Sequence, residues 1–108
     1  MREFWLKPSV AATFLPDHYS KTTLASGNHL FLGLNCFEPE QSQAVHTHAE
    51  ADKFYLVLSG NARMIVGGTA RDATPGELIW APAGVPHGVE RARERTVMLV
   101  GIAPAPKG

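Results

Sequence analysis

Along residues 29–103 the apolar positions fall in short runs that alternate with polar ones and end at Gly, Pro or acidic clusters. That is the period-2 signature of strands, not the 3.6-residue period of helices. "HLFLGLNCF" predicts a strand over residues 29–37, with "EPEQS" as its connection. "QAVHTH" and "FYLVLSG" follow as two more strands. The second is apolar on both faces, as for a strand with a core on one side and a covering strand or partner subunit on the other. "NARMIVGGTARDA" predicts a hairpin, because two β-rich runs flank Gly67 and Gly68, which supply the positive φ angles of a two-residue primed turn. "GELIWAP" reads as a strand closed by Pro82, "AGVPHGV" as a turn into the next strand, and "RTVMLVGIA" as the last strand before a Pro-rich tail. Residues 1–28 leave two readings open: "PSVAATFL" suits one helical turn or an extended arm, and "PDHYSK" is turn-like. The organisation predicted is an arm or strand over 1–28, a barrel over 29–103 and a tail over 104–108. About seven or eight short strands and no useful amphipathic helix predict an all-β barrel or sandwich. No short repeat marks a solenoid.

Composition narrows the partners. A chain of 108 residues supports one domain with one core. Ten acidic and ten basic side chains cancel, so no net field draws the protein to nucleic acid or to an anionic membrane, and a small molecule is the expected partner. Cys36 has no second cysteine to pair with, which argues against an extracellular disulfide scaffold and for a buried apolar side chain. The opening "MREFWLKPSVAATFL" does not read as a signal peptide, and no run approaches the roughly eighteen apolar residues of a spanning helix. A cytoplasmic protein is the expectation.

The candidate chemistry lies in the histidines. In "HTHAEADKFYLVLSG", His46 and His48 stand one residue apart, and on a strand that spacing projects both imidazoles from one face. A second stretch sets Gly76, Pro82, Gly84 and His87 at the spacing G-x5-P-x-G-x2-H. This resembles the second motif of the cupin family, and the first stretch resembles its first motif, H-x-H-x4-E-x6-G. The motifs span residues 46–87, and the strand rhythm around them is similar to that of a small single-domain cupin. The resemblance implies a double-stranded β-helix, or jelly-roll barrel, of short antiparallel strands, with His46, His48 and His87 converging on one metal ion inside it. It also implies a homodimer. Chemically, three imidazole nitrogens with positions left open suit a divalent transition metal: Fe, Mn, Ni, Zn or Cu. The turn "PAGVPH" has its φ angles restricted by two prolines, so His87 enters its strand with little freedom. His18 and His29 belong to neither motif and read as ordinary hydrogen-bonded residues.

Three positions depart from the family pattern. Glu40 stands where the first motif usually opens with Gly, and Arg91 where the second usually closes with Asn. Lys53 stands in the place of the family's carboxylate ligand. An ammonium about 5 Å from a divalent ion is repelled by roughly 6 to 7 kcal/mol at an effective dielectric of about 20. Deprotonating an ordinary lysine at neutral pH costs only about 4.6 kcal/mol. Lys53 is therefore neutral, or turned toward Glu50 or Asp52, or separated from the ion by an anionic ligand, or else no metal binds. Asp52 and Glu50 are second choices as ligands, because strand alternation turns Asp52 to the opposite face and Glu50 belongs to the preceding loop.

Alternation places Tyr55 and Val57 on the side of Lys53, with Phe54, Leu56 and Leu58 outward. Phe31, Cys36, Met64, Ile79 and Trp80 are candidates for the remaining wall. Such a cavity suits a small, partly apolar molecule anchored by Lys53 or Tyr55, which are the candidate catalytic residues. The expected activity is metal-dependent chemistry of oxygenase, isomerase or lyase type; within the family, three histidines resemble the arrangement of thiol and diketone dioxygenases. The alternatives are a non-catalytic ligand-binding cupin with a degenerate metal site and a structural dimer with a vestigial one.

Overall fold

The computed structural model describes residues 4–106. After a single helical turn, α1 (Pro8–Ala11), nine strands follow among the described residues: β1 (Ser20–Ser26), β2 (Phe31–Phe37), β3 (Gln43–His46), β4 (Asp52–Ser59), β5 (Ala62–Val66), β6 (Thr69–Ala73), β7 (Leu78–Ala81), β8 (His87–Ala92) and β9 (Thr96–Ala103). They form a five-stranded sheet in the order β1-β2-β9-β4-β7 and a four-stranded sheet in the order β3-β8-β5-β6. Every pairing is antiparallel. From β6 onward each connection carries the chain to the opposite sheet, which is jelly-roll topology. The all-β reading therefore holds. The open segment before residue 29 contains α1 and β1, and β1 pairs with β2 from Ser20↔Cys36 to Ser26↔Phe31.

The hairpin forms where its glycines predict it. Gly67 and Gly68 have φ of 57° and 83°, and Val66 pairs with Thr69 across them. Gly60, which closes the first motif, has a different reason to be glycine: a Cβ there would lie 2.3 Å from the carbonyl oxygen of Arg95. Its φ of 92° turns the chain from β4 into β5.

Strand alternation sorts the side chains as expected. Lys53, Tyr55 and Val57 are buried, while Phe54, Leu56 and Leu58 lie outward and half-buried. Between the sheets, Tyr55, Val57, Met64, Val89, Met98 and Val100 form the main core with Phe37. Each such side chain removed from water contributes roughly 1.5–3 kcal/mol. A second cluster on the outward face of the large sheet packs Leu34, Cys36 and Val97 under Ala11, Ala12 and Phe14 of the N-terminal segment. Arg95 fastens that cover, with its guanidinium 4.1 Å from the Phe14 ring centroid and 2.8 Å from the Glu38 carboxylate.

Two of the three departures from the motif pattern meet in space. Glu40 is the only non-glycine residue with positive φ among the described residues, at 76°, which is why glycine suits the position. Its amide donates to the Ala92 carbonyl at 2.7 Å, and its carboxylate lies 3.4 Å from Nε of Arg91, the other departing residue. The ion pair is exposed, so it offsets only part of the left-handed strain.

Candidate metal centre

His46 ends β3 and His87 begins β8, and the two are direct register partners across the small sheet. Their rings lie 4.4 Å apart. His48 lies beyond the end of β3, in the connection to β4, so the shared-strand reading covers His46 but not His48. It still reaches the others, with its ring 5.1 Å from His46 and 5.4 Å from His87. What holds it there comes from the second motif: the Gly84 amide donates to the His48 carbonyl at 2.8 Å. The same turn is fastened by the Ala83 amide, which donates to Asp52 Oδ1 at 2.9 Å. Asp52 is thus occupied outside the site, and Glu50 is exposed. Neither joins the histidines among the described residues.

One potential ligand nitrogen from each of the three rings lies within 4.8 Å of the other two, a spacing one ion can bridge. His46 Nδ1 donates to the Ala44 carbonyl and His87 Nδ1 to the Val85 carbonyl, each at 2.9 Å. A carbonyl only accepts, so both Nδ1 atoms carry a proton, which leaves Nε2 as the atom that ligates when the ring is neutral, the tautomer a metal requires. The Nε2 atoms of His48 and His87 are buried with no hydrogen-bond partner. Burial holds the His48 pKa below the usual histidine value, helped by the charges of Lys53 and His46. Burial likewise lowers that of His87, against the opposing effect of its bond to Val85. Neutral imidazoles with unused lone pairs are the form that ligates, so the donor set fits a transition metal.

Lys53 is buried at 4 % exposure. Its ammonium nitrogen lies 4.5 Å from the centroid of the Tyr55 ring. All six ion pairs among the described residues use arginine, and Lys53 is in none of them, so it has turned to neither Glu50 nor Asp52. Burial first, then the nearby Lys21 charge, lowers its pKa to about 8. Tyr55 is fully buried and donates its hydroxyl to Gln43 Oε1 at 2.5 Å, while Gln43 Nε2 donates to the Tyr19 hydroxyl at 3.2 Å. Burial pushes the Tyr55 phenol well above its ordinary value.

A cavity of about 620 Å³ opens beside the histidines, with His46, His48, Lys53, Lys21, Phe31 and Gln43 on its walls. Of the wall candidates from sequence, Phe31 lines this cavity and Met64 and Ile79 belong to the main core. Cys36 and Trp80 do not: Cys36 packs in the outer cluster, and Trp80 is 54 % exposed on the other face of the sheet. Sequence reasoning missed Lys21 and Gln43. Lys21 sits on β1, whose first residues look like a turn. Gln43 has the wrong parity for His46 in a regular strand, and the register shift between them brings both to the cavity.

Comparison with known proteins agrees with the fold. The family model described as the cupin domain matches residues 33–102. A crystal structure of TT1209 from Thermus thermophilus is 31% identical, with a TM-score of 0.89 over 94% of this chain and 98% of that one. An uncharacterized conserved protein with a double-stranded β-helix domain from Klebsiella pneumoniae has the same TM-score at 19% identity, over 99% of this chain and 95% of that one. An uncharacterized protein of Streptomyces coelicolor is 29% identical over 70% of this chain and 71% of its own length.

Proposed function

The chain belongs to the cupin family, and on that footing we propose that it is a metal-binding cupin acting as a small-molecule enzyme of oxygenase, isomerase or lyase type. The observation that carries this reading is the pair of buried, partnerless Nε2 atoms on His48 and His87 beside His46. Orphaned buried nitrogens are costly, and a shared ion satisfies them together. His46, His48 and His87 would hold a divalent transition metal: Fe, Mn, Ni, Zn or Cu. When bound, the ion supplies Lewis-acid or redox chemistry at its open positions.

The chain's own residues bind and orient. The Ala44 and Val85 carbonyls hold two imidazoles in the ligating tautomer, and the Gly84 amide fastens the third histidine's backbone. Phe31, Val100 and Ile102 give the cavity its apolar wall. Lys53 Nζ is the polar anchor and, with a pKa lowered to about 8, the group able to hold or release a proton near neutrality. Tyr55 acts on the cavity through Gln43, which its hydroxyl holds in place. Lys53 in the place of the family's carboxylate also favours a second reading, a non-catalytic cupin that holds a small ligand at a degenerate site.

Metal analysis of protein purified without a histidine tag tests the centre. About one ion per chain is expected, lost in His46→Ala and His87→Ala and held more tightly in Lys53→Glu. Protein that takes up no Fe, Mn, Ni, Zn or Cu on reconstitution overturns the reading. With metal present, oxygen uptake on a panel of thiols, diketones and catechols supports the enzyme, and silence across the panel favours the ligand-binding alternative.

We also propose a homodimer and a cytoplasmic setting. Phe54, Leu56 and Leu99 form an outward apolar strip on the large sheet, continued on its edge strand by Leu78 and Trp80, which are 60 % and 54 % exposed. A second copy is the occupant such a self-complementary strip suits. The single unpaired Cys36 suits a reducing compartment.

A further inference from the structure

The cavity has a charge pattern that the three histidines do not explain. Lys21 and Lys53 both face it, from β1 and β4, and none of its described lining residues is Asp or Glu. The chain has as many acidic as basic side chains, yet the acidic ones that form ion pairs all answer arginines, at Arg63, Arg71, Arg91, Arg93 and Arg95. Neither cavity lysine takes part in an ion pair among the described residues. Lys21 is exposed, but Lys53 is buried, and a buried cation without a counter-charge is disfavoured unless a ligand brings the missing charge. Besides the histidines, the other polar side chains on its wall, Tyr19, Thr22, Thr23, Asn35 and Gln43, are neutral. The apolar part of the wall includes Phe31, Val100 and Ile102, with Gly33 beside the Phe31 ring, where an added Cβ would lie 2.9 Å from a ring carbon.

We propose that this cavity binds a small organic carboxylate, its anionic end held by Lys53 and Lys21 and its apolar body against Phe31, Val100 and Ile102. As the substrate class of the metal centre the proposal rests on the function proposed above; as a binding site it stands without the ion. A carboxylate is favoured over a phosphate because two point-charge ammonium groups sit against an apolar wall, with no arginine fork among the described lining residues. The ligand's negative charge also answers the repulsion between Lys53 and a divalent ion, since it offers an anion to both.

The test uses benzoate and its neutral counterpart benzamide, with inorganic phosphate as a third probe, titrated calorimetrically into the full chain as purified and again after chelation. Benzoate is expected to bind about tenfold or more tighter than benzamide in both forms, with phosphate weaker than benzoate; tenfold corresponds to one charge-assisted hydrogen bond. Lys53→Met is expected to remove that preference and Lys21→Met to reduce it. Met matches lysine in length and needs no counter-charge, and circular dichroism checks that each variant is folded. Equal affinity for benzoate and benzamide, tighter binding of phosphate than benzoate, or a benzoate preference that survives both Met substitutions overturns the proposal. Retained metal with no charge preference sinks this inference and leaves the metal centre standing. A charge preference in protein that never holds metal does the reverse.

Discussion

Replacing Lys53 by Met should make the metal-free fold more stable at neutral pH and remove part of its pH dependence. Lys53 is 4 % exposed, has no carboxylate partner among the described residues, and has its pKa lowered from 10.5 to about 8, by burial first and by Lys21 second. That drop corresponds to about 3 kcal/mol by which folding disfavours the charged form. The sign follows from proton counting. Between pH 8 and 10.5 the unfolded chain holds more protons on this lysine than the native chain, so native stability rises with pH through that window. Below pH 8 both states are protonated and the full penalty applies. Urea unfolding in chelated buffer at several pH values, on wild type and Lys53→Met, isolates the effect, because titrating groups that do not feel the Lys53 charge cancel in the difference. Lys53→Met should be the more stable by roughly 2 to 3 kcal/mol at pH 7, with the gap shrinking by about 2 kcal/mol by pH 9.5. A gap that stays constant with pH would falsify the buried-ammonium argument, since a lysine in water titrates alike in both states.

Other outcomes follow from single contacts. Tyr55→Phe leaves Gln43 Oε1 without the hydroxyl donor it now has at 2.5 Å, and thermal unfolding should show a loss of about 1–3 kcal/mol; an unchanged melting temperature counts against that bond. Glu40→Gly and Glu40→Ala both delete the Arg91 ion pair, but only Gly relieves the φ of 76°, so the Gly variant should be the more stable by about 1 kcal/mol in denaturant titrations. Equal stabilities would mean that the position is not strained. Light scattering should report a dimer for the wild-type chain and a folded monomer for Trp80→Glu, because a charge is placed on the exposed apolar strip of β7; a wild-type monomer at all concentrations refutes the dimer.

Much of the fold is legible in the one-dimensional pattern because its causes are local. Alternation alone separates Lys53, Tyr55 and Val57 from Phe54, Leu56 and Leu58, and the Gly67-Gly68 turn announces its hairpin. β1 is harder to read because "PDHYSK" carries turn residues directly before the strand, and "SKTTLAS" has too few apolar positions to show a period. Pairing with β2 supplies what the segment's own composition lacks. The site shows the same division. Motif spacing picks out His46, His48 and His87, whereas Gln43 enters the cavity through a register shift that no single-strand rule predicts.

The strand rhythm, the turns and the identity of three imidazoles are settled by the order of residues alone, since each is written in contiguous positions with a fixed period or spacing. What those residues meet is settled by the closed fold. It brings the Gly84 amide to the His48 carbonyl, pairs Glu40 with Arg91, and sets Lys21 and Lys53 on one cavity without a carboxylate among its described walls. These contacts join segments far apart in the chain, and their energies depend on burial and mutual distance, quantities that exist only once the two sheets have closed on each other.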